Sequence, residues 1–317
     1  MDWHIMQILF LLLKKMLRQI KMKKLLVVGL VISNFVFAQR TKNDTLQYEA
    51  DYLPTVGPAS IKKKEKPLPL SKKGQMFVFY GWNRGAFSNS DIHFTGNGYD
   101  FQLNNVQARD KPTKFGIVYI DPSWFTVTQY NFRLGYFIKD NLALVLGIDH
   151  MKYVMKQDQT AAFSGTISDP KYAGMVQNGQ VNLADSQFLT FEHTDGLNYE
   201  NLGLEKYKNL IHKKNIDLVW SYGAGIGVMF PKSNIKLFGN ERSDRFHVAG
   251  MGTDLRTSLN MVFWKNWMIR AEAKAGYINM WDIKTTLNNK PDKARQDFVF
   301  GQVLAGIGYT FNTKKYN

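Results

Sequence analysis

His193 and Asp195 have the residue types and the spacing of a small catalytic site. Side chains two positions apart on a β-strand point to the same face, so the pair would lie side by side. A histidine base oriented by a carboxylate can activate a nearby serine for acyl transfer. At the outer rim of a membrane protein, this chemistry would suit a lipid A deacylase or acyltransferase. The chain has no Gly-x-Ser-x-Gly segment, so we keep this enzyme as the alternative to a non-enzymatic role.

A second polar stretch, GIDHMKYVM at 147–155, directly follows an apolar run that begins at Leu142. Asp149 and His150 are adjacent, so on a regular strand they point to opposite faces and cannot act together. Alternate residues of the apolar run face outward, and if this alternation continues, His150 and Lys152 point outward and Asp149 points inward. We therefore expect His150 and Lys152 to contact lipid headgroups at the end of a membrane strand.

The strand-like segments also place charged residues on one common face. This face is opposite to the apolar one, and an unpaired charge there would be costly, so we predict a paired internal network. Its expected members are Arg133, Asp149, Asp217, Arg256, Arg270, Glu272 and Lys274. A barrel of eight strands is just wide enough to be filled by such side chains, which disfavours a channel for large solutes.

The sequence favours neither a metal nor a cofactor. The chain has no cysteine, and its histidines share no ligand spacing of the His-Glu-x-x-His kind. The formal net charge is +15, yet no nucleic-acid-binding motif accompanies it. Much of this charge lies at the N-terminus and at 61–66, so we expect outer-membrane lipid or lipopolysaccharide as the partner and no nucleic acid.

The N-terminal region is predicted to be an export signal. Lys23 and Lys24 precede a short apolar run, and Val36 and Ala38 are the small residues of a cleavage site, so residues 1–38 are expected to be removed. Residues 1–21 are interpreted as the result of a start assigned too early, with Met22 the true start. A retained N-terminal anchor is the alternative. Residues 39–74 are basic and without periodicity, which predicts a flexible periplasmic arm.

The remaining chain alternates apolar and polar residues in segments of about ten. No later segment has the roughly eighteen consecutive apolar residues of a membrane helix. Aromatic residues near the segment ends indicate the two girdles of a membrane barrel rather than a soluble β-sandwich. These residues are Tyr130, Trp220, Trp264, Trp267, Trp281 and Tyr309.

The fold class predicted is therefore all-β, a transmembrane antiparallel barrel over residues 75–311 with a periplasmic tail at 312–317. Short connections at 139–141 and 265–266 belong on the periplasmic side, which gives eight strands. The expected strands are 75–86, 128–138, 142–155, 188–205, 216–230, 250–263, 267–281 and 297–311. An additional hairpin formed by 92–94 and 99–106 would make ten strands.

Several segments resemble those of small outer-membrane β-barrel proteins of the Bacteroidetes type. They are YGWNR at 80–84, SDIHFTG at 90–96, DHMKYV at 149–154 and EHTDGLNY at 192–199, and FVFGQVLAGIGYTF at 298–311 resembles a final barrel strand. The resemblance implies a location in the bacterial outer membrane, insertion by the barrel-assembly machinery, and no particular activity. A structural, anchoring or loop-mediated binding role is the expectation, with the ligand and the oligomeric state left open.

Overall fold

The computed structural model describes residues 70–114, 116–119, 128–213, 215–240, 246–264, 266–286 and 291–312. Residues 1–69 are outside this part, and so are the predicted signal peptide, most of the arm and the end of the tail. The described chain is almost entirely antiparallel β-sheet, as the alternating sequence predicts. None of its helices has the length and apolar character needed to cross a membrane.

Fifteen strands and two short helical segments make up the described chain. The strands are β1 Gln75–Phe87, β2 Ser90–Gly96, β3 Tyr99–Val106, β4 Ala108–Asp110, β5 Tyr130–Lys139, β6 Leu142–Met155, β7 Thr160–Ile167, β8 Val176–Gln177, β9 Gln180–Asn182, β10 Leu189–His212, β11 Ile216–Met229, β12 Asn234–Leu237, β13 Gly250–Phe263, β14 Trp267–Lys284 and β15 Lys293–Asn312. A 3-10 turn covers Ile117–Tyr119, and helix α1, Pro170–Ala173, is capped by Asp169.

Eight of the strands close into a barrel, which confirms the predicted number. They pair in the order β1-β5-β6-β10-β11-β13-β14-β15, and β15 returns to pair with β1. Every neighbouring pair is antiparallel. The tight connection between β5 and β6 uses Asn141 at φ 62°, a left-handed conformation that asparagine tolerates better than most residues.

An apolar belt surrounds the barrel. On β14 and β15 all outward side chains within the belt are apolar. Its lower limit is the cross-strand pair Trp267 and Tyr309, and its upper limit is the cross-strand pair Tyr277 and Val299. These pairs are ten residues apart along each strand, which at about 3.3 Å per residue and a tilt of about 40° rises roughly 25 Å. This is the height of the lipid-facing band of an outer-membrane barrel, and aromatic residues lie at both of its edges.

The interior contains two apolar clusters, one towards each end. The lower cluster, at the end with short turns, includes Phe77, Phe79, Phe137 and Val219. The upper cluster is larger and continues beyond the membrane band, with Phe94, Phe101, Phe191 and Phe298 among its buried residues. Charged residues lie between the two clusters.

The hairpin that would have made ten strands forms, but it does not enter the barrel. Strands β2 and β3 extend the sheet sideways from the upper end of β15, in the order β15-β2-β3-β7-β9-β8. The pairing of β15 with β2 involves only Lys293 to Gln296, while the lower part of β15 pairs with β1. The hairpin is therefore part of an outer sheet above the membrane.

The expected flexible arm ends earlier than predicted. Leu70 is buried in the lower apolar cluster, and Ser71 is buried beside it. The backbone of this segment is also held, because Asn141 N donates to Ser71 O at 2.7 Å and Gly74 N donates to Phe137 O at 2.9 Å. Residues 70–74 thus belong to the barrel, since an apolar side chain at 70 can close its lower end.

Candidate functional site

Eight buried charged side chains form a closed ring inside the barrel. We call this set the central ion network, and its members are Arg133, Asp149, Lys274, Asp254, Arg256, Glu205, Arg270 and Glu272. They come from strands β5, β6, β10, β13 and β14, and all are at most 4% exposed. In this order around the ring, cations alternate with anions, and the four positive charges balance the four negative ones.

One half of the ring is built around Arg133 and Lys274. Arg133 Nη2 lies 2.6 Å from Asp149 Oδ1 and 3.0 Å from Glu272 Oε1. Lys274 Nζ lies 2.5 Å from Asp149 Oδ2 and 3.8 Å from Asp254 Oδ1. Asp149 is therefore held between two cations from different strands.

The other half is built around Arg256 and Arg270. Arg256 Nε donates to Asp254 Oδ1 at 2.7 Å, and Arg256 Nη1 lies 3.7 Å from Glu205 Oε1. Arg270 Nη2 lies 2.9 Å from Glu205 Oε2 and 2.5 Å from Glu272 Oε2, which closes the ring. Each charge removed from water thus faces opposite charges, the condition under which a buried ion pair is tolerated.

Neutral polar groups complete the coordination of the ring and join it to both apolar clusters. Tyr207, in the lower cluster, donates to Glu205 Oε2 at 2.7 Å. Tyr199, in the upper cluster, donates to Asp254 Oδ2 at 3.0 Å. Asn201 donates to Asp149 Oδ2 at 3.1 Å and accepts from Arg256 at 2.8 Å. Side chains in contact therefore fill the barrel from the upper apolar cluster, through the central ion network, to the lower apolar cluster.

The structure brings together six of the seven charged residues that the sequence placed on the inner face. The seventh, Asp217, pairs instead with His212 near the lower end of the barrel. Glu205 and Asp254 were missed, although alternation could have found both. Asp254 shares the parity of Arg256, and Glu205 shares that of Asn201 and Tyr207.

His193 and Asp195 do not share a face. The pairing of β10 with β6 shifts between His193 and Leu197, and Gly196 adopts φ +139° within this irregularity. The extra residues break the two-residue alternation, so His193 is fully buried while the Asp195 side chain is 38% exposed. Asp195 Oδ2 lies 3.6 Å from Lys232 Nζ.

His193 instead contacts a serine that the sequence did not suggest. Its Nδ1 lies 2.7 Å from Ser233 Oγ, and both residues are buried in the upper cluster. Its Nε2 has no hydrogen-bond partner among the described residues. His193 lies on the part of β10 above the lipid-facing positions, and burial there lowers its pKa to about 4. The imidazole is therefore neutral at physiological pH.

His150 and Lys152 do not lie open to the membrane surface. His150 is 4% exposed, its ring stacks on Tyr130 at 5.1 Å, and its Nδ1 lies 2.7 Å from Asn198 Oδ1. Lys152 is half-buried, with Nζ 3.3 Å from Thr113 Oγ1. The expected contact of His150 with lipid headgroups is wrong, because neighbouring strands cover its outward face. Asp149 points inward as predicted.

Within the described ranges, no group of three or more histidine, aspartate or glutamate side chains is arranged to hold a metal ion. The acidic members of the central ion network are all engaged by arginine or lysine. Their oxygen atoms are therefore not free for a cation.

Comparison with known proteins gives likeness of fold only. No protein-family model matches the chain, and no curated protein matches it. Among solved structures, the chain is similar to the attachment invasion locus protein Ail of Yersinia pestis, at 10% identity over 75% of this chain and 99% of that one, with a TM-score of 0.29. It is also similar to OprG of Pseudomonas aeruginosa (8%, 76% and 98%, TM-score 0.34) and to the outer membrane protease OmpT of Escherichia coli (9%, 78% and 100%, TM-score 0.30).

The chain's own structure defines its class. Eight antiparallel strands close without an edge, an apolar band about 25 Å tall faces outward, and aromatic residues lie at both margins of this band. Only helices and closed barrels satisfy all backbone hydrogen bonds inside a bilayer. The protein is a transmembrane β-barrel of the bacterial outer-membrane class.

Proposed function

We propose that this protein is a non-conducting outer-membrane barrel that anchors an ordered extracellular region, through which it binds or supports components of the cell envelope. Its expected partners are outer-membrane lipid or lipopolysaccharide and, during insertion, the barrel-assembly machinery. The sequence resemblance to Bacteroidetes-type barrels belongs to the same proposal.

The filled interior is the observation that carries this proposal. A solute entering from outside would meet the upper apolar cluster, then the central ion network, then the lower cluster with Leu70 at its end. Moving the charged side chains aside would separate buried ion pairs, which is strongly unfavourable. A barrel of this size has no spare width beside them.

The region above the membrane band supports the binding role. Strands β10, β14 and β15 run 24, 18 and 20 residues, and about ten residues suffice to span the band. Their upper parts, with β2, β3 and β7, enclose most of the large upper cluster. An ordered outer region with its own apolar core offers a fixed surface for recognition.

Liposome swelling tests the closed interior. Full-length protein reconstituted into liposomes should admit arabinose or glucose no faster than protein-free liposomes, while a general porin in parallel liposomes causes rapid swelling. Rapid swelling with this protein would contradict the proposal.

A lipid-modifying enzyme is the second candidate, and the contact between His193 and Ser233 is the observation that favours it. The burial of both side chains disfavours contact with a lipid acyl chain, and Asp195 lies beside Lys232 rather than beside the histidine. His193→Ala is the test. An altered lipid A mass spectrum in cells that retain the folded barrel would favour the enzyme, and an unchanged spectrum favours the anchoring role.

A further inference from the structure

An open groove lies on the outward face of the barrel wall where β14, β15 and β2 meet. We call it the outer groove, and its volume is about 500 Å³. Its lining residues are Asp91, His93, Gln102, Asn279, Trp281, Arg295, Gln296 and Asp297. The strand register sets their positions, because Arg295 is opposite His93 and Asn279 is opposite Asp297.

The groove lies directly above the membrane band. On β14 the outward residues are apolar from Ile269 to Tyr277 and then change to Asn279 and Trp281. Trp281 is four residues beyond Tyr277, which at the same strand tilt places it roughly 10 Å higher. This is the level at which the headgroup sugars of outer-leaflet glycolipids stand. Trp281 is therefore above the aromatic girdle to which the sequence assigned it.

Two side chains of the outer groove, those of Arg295 and Trp281, are available to contact a ligand. The guanidinium of Arg295 has no hydrogen bond or ion pair with any described residue, and the indole of Trp281 is 46% exposed with no described ring packed on it. An indole offers a flat apolar surface with one polar edge, which suits the C–H face of a sugar ring. A guanidinium offers several donors to hydroxyl oxygens.

The charges in the groove select among polar ligands. Asp91 and Asp297 would repel an anion, while Arg295 would repel a cation. The carboxylates can accept from hydroxyl groups, although Asp297 already accepts from Tyr277 at 2.9 Å and Asp91 from Asn105 N at 2.8 Å. Carboxylate acceptors and guanidinium and amide donors beside an indole match a neutral ligand with many hydroxyl groups.

We propose that the outer groove binds a neutral hexose ring, with Trp281 stacked on the ring and Arg295 and Asp297 bonded to its hydroxyl groups. This inference rests on the proposed extracellular binding role and names the class of ligand. The sugar can come from a glycolipid of the same leaflet or from a soluble oligosaccharide, and the two sources share one binding chemistry.

Saturation-transfer difference NMR tests the proposal. The full chain is placed in nanodiscs of phospholipid alone and titrated with the methyl glycosides of glucose, galactose and mannose. At least one glycoside should bind, and Trp281→Ala and Arg295→Gln should each weaken it by about tenfold or more. Trp264→Ala is the matched control, because Trp264 is also an exposed tryptophan but lies at the opposite end of the barrel, in the turn between β13 and β14. The Trp264→Ala variant should bind the glycoside with the same affinity as the wild type.

Absence of binding by all three glycosides, or equal affinity in Trp281→Ala and wild type, would overturn the proposal. Unheated electrophoresis confirms that each variant is a folded barrel. Nanodiscs that contain lipopolysaccharide separate the sources: loss of the glycoside signal assigns the sugar to the glycolipid, and an unchanged signal assigns it to a soluble oligosaccharide. If the liposome-swelling assay shows no sugar uptake and the titration shows no glycoside binding, the sugar site is rejected while the proposal of a non-conducting barrel is retained.

Discussion

At the scale of single residues, the main feature of the barrel interior is the central ion network, because charged side chains buried there need partners of opposite charge. Each of its eight side chains faces charges of opposite sign, and none is appreciably exposed. Removing one charge leaves its partners buried without compensation, whereas removing a pair does not.

Glu272→Gln should therefore be strongly destabilising. It removes one negative charge at nearly constant volume and leaves Arg133 and Arg270 short of a counter-charge. We expect the free energy of unfolding to fall by about 3–5 kcal/mol, measured by urea titration in micelles with the electrophoretic mobility shift as readout. The double variant Arg133→Met, Glu272→Met should lose less than the sum of the two single changes.

Lys111→Ala is the control for this prediction. Lys111 also forms an ion pair, 3.3 Å from Glu192, but its side chain is 55% exposed, so its loss should change the free energy of unfolding by about 1 kcal/mol at most. Equal stability of Glu272→Gln and wild type would show that the ring does not hold the strands together.

His193 should make stability depend on pH in a defined window. Burial lowers its pKa from 6.5 to about 4, so between these values the unfolded chain binds more protons than the folded one. The contribution of the neutral His193 to the free energy of unfolding is complete above pH 6.5 and is lost as the pH falls to about 4. The free energy of unfolding should fall by roughly 3 kcal/mol over this range. Urea titrations at pH 7.5 and 4.5 measure it.

His193→Gln should remove this part of the pH dependence, because glutamine keeps a polar group beside Ser233 without a titrating proton. His212→Gln is the matched variant, and it should retain the dependence because His212 is exposed near the other end of the barrel. An unchanged slope in His193→Gln would refute the assignment.

At the scale of elements, strand β11 makes room for the ring with glycine. A Cβ atom on Gly225 would lie 2.2 Å from Arg256 Nη2 and 2.7 Å from Asp254 Oδ2. Since both partners are fixed by ion pairs, neither can move away without cost. The alternation of Gly223, Gly225 and Gly227 with apolar residues thus reflects both the barrel's inner face and the size of the arginine across it.

Gly225→Ala should lower the free energy of unfolding by about 1–3 kcal/mol through overpacking. Gly301→Ala on β15 is the control, because a Cβ there would meet no atom within 4 Å. This variant should be at least as stable as the wild type, since alanine restricts the unfolded chain. The same urea titration compares them, and equal destabilisation by both would contradict the account.

The period-two alternation predicted the eight barrel strands because each strand has one face towards lipid and one towards the interior. It could not predict the bulge after His193, because an irregularity depends on pairing with the neighbouring strand. Gly196 was the only local signal, since a lone glycine within a strand often marks such a site. The upper end of β15 was also placed too short, because pairing with β2 extends it beyond the membrane. The lower end of β10 was placed too short as well, because its pairing with β11 continues to His212.

At the scale of the whole molecule, the sequence predicted six of the eight charged residues of the central ion network but not that these residues close into a ring. Parity assigns a face to each side chain, whereas the contact of Arg133 with Glu272 joins strands β5 and β14 across the interior. Contacts of this kind follow from barrel closure and strand stagger, which no local pattern encodes. The burial of His150 has a similar cause, since Tyr130 and Asn198 come from other strands.

The central claim is that the chain is an eight-stranded barrel folded in the outer membrane, and a heat-modifiability gel tests it most directly. Outer membranes from cells expressing the full chain are run by electrophoresis with and without boiling. We expect the protein to be found in this fraction, with the unboiled form migrating at a different apparent mass from the boiled one. A protein recovered in the soluble periplasmic fraction, with one mobility before and after boiling, would contradict it.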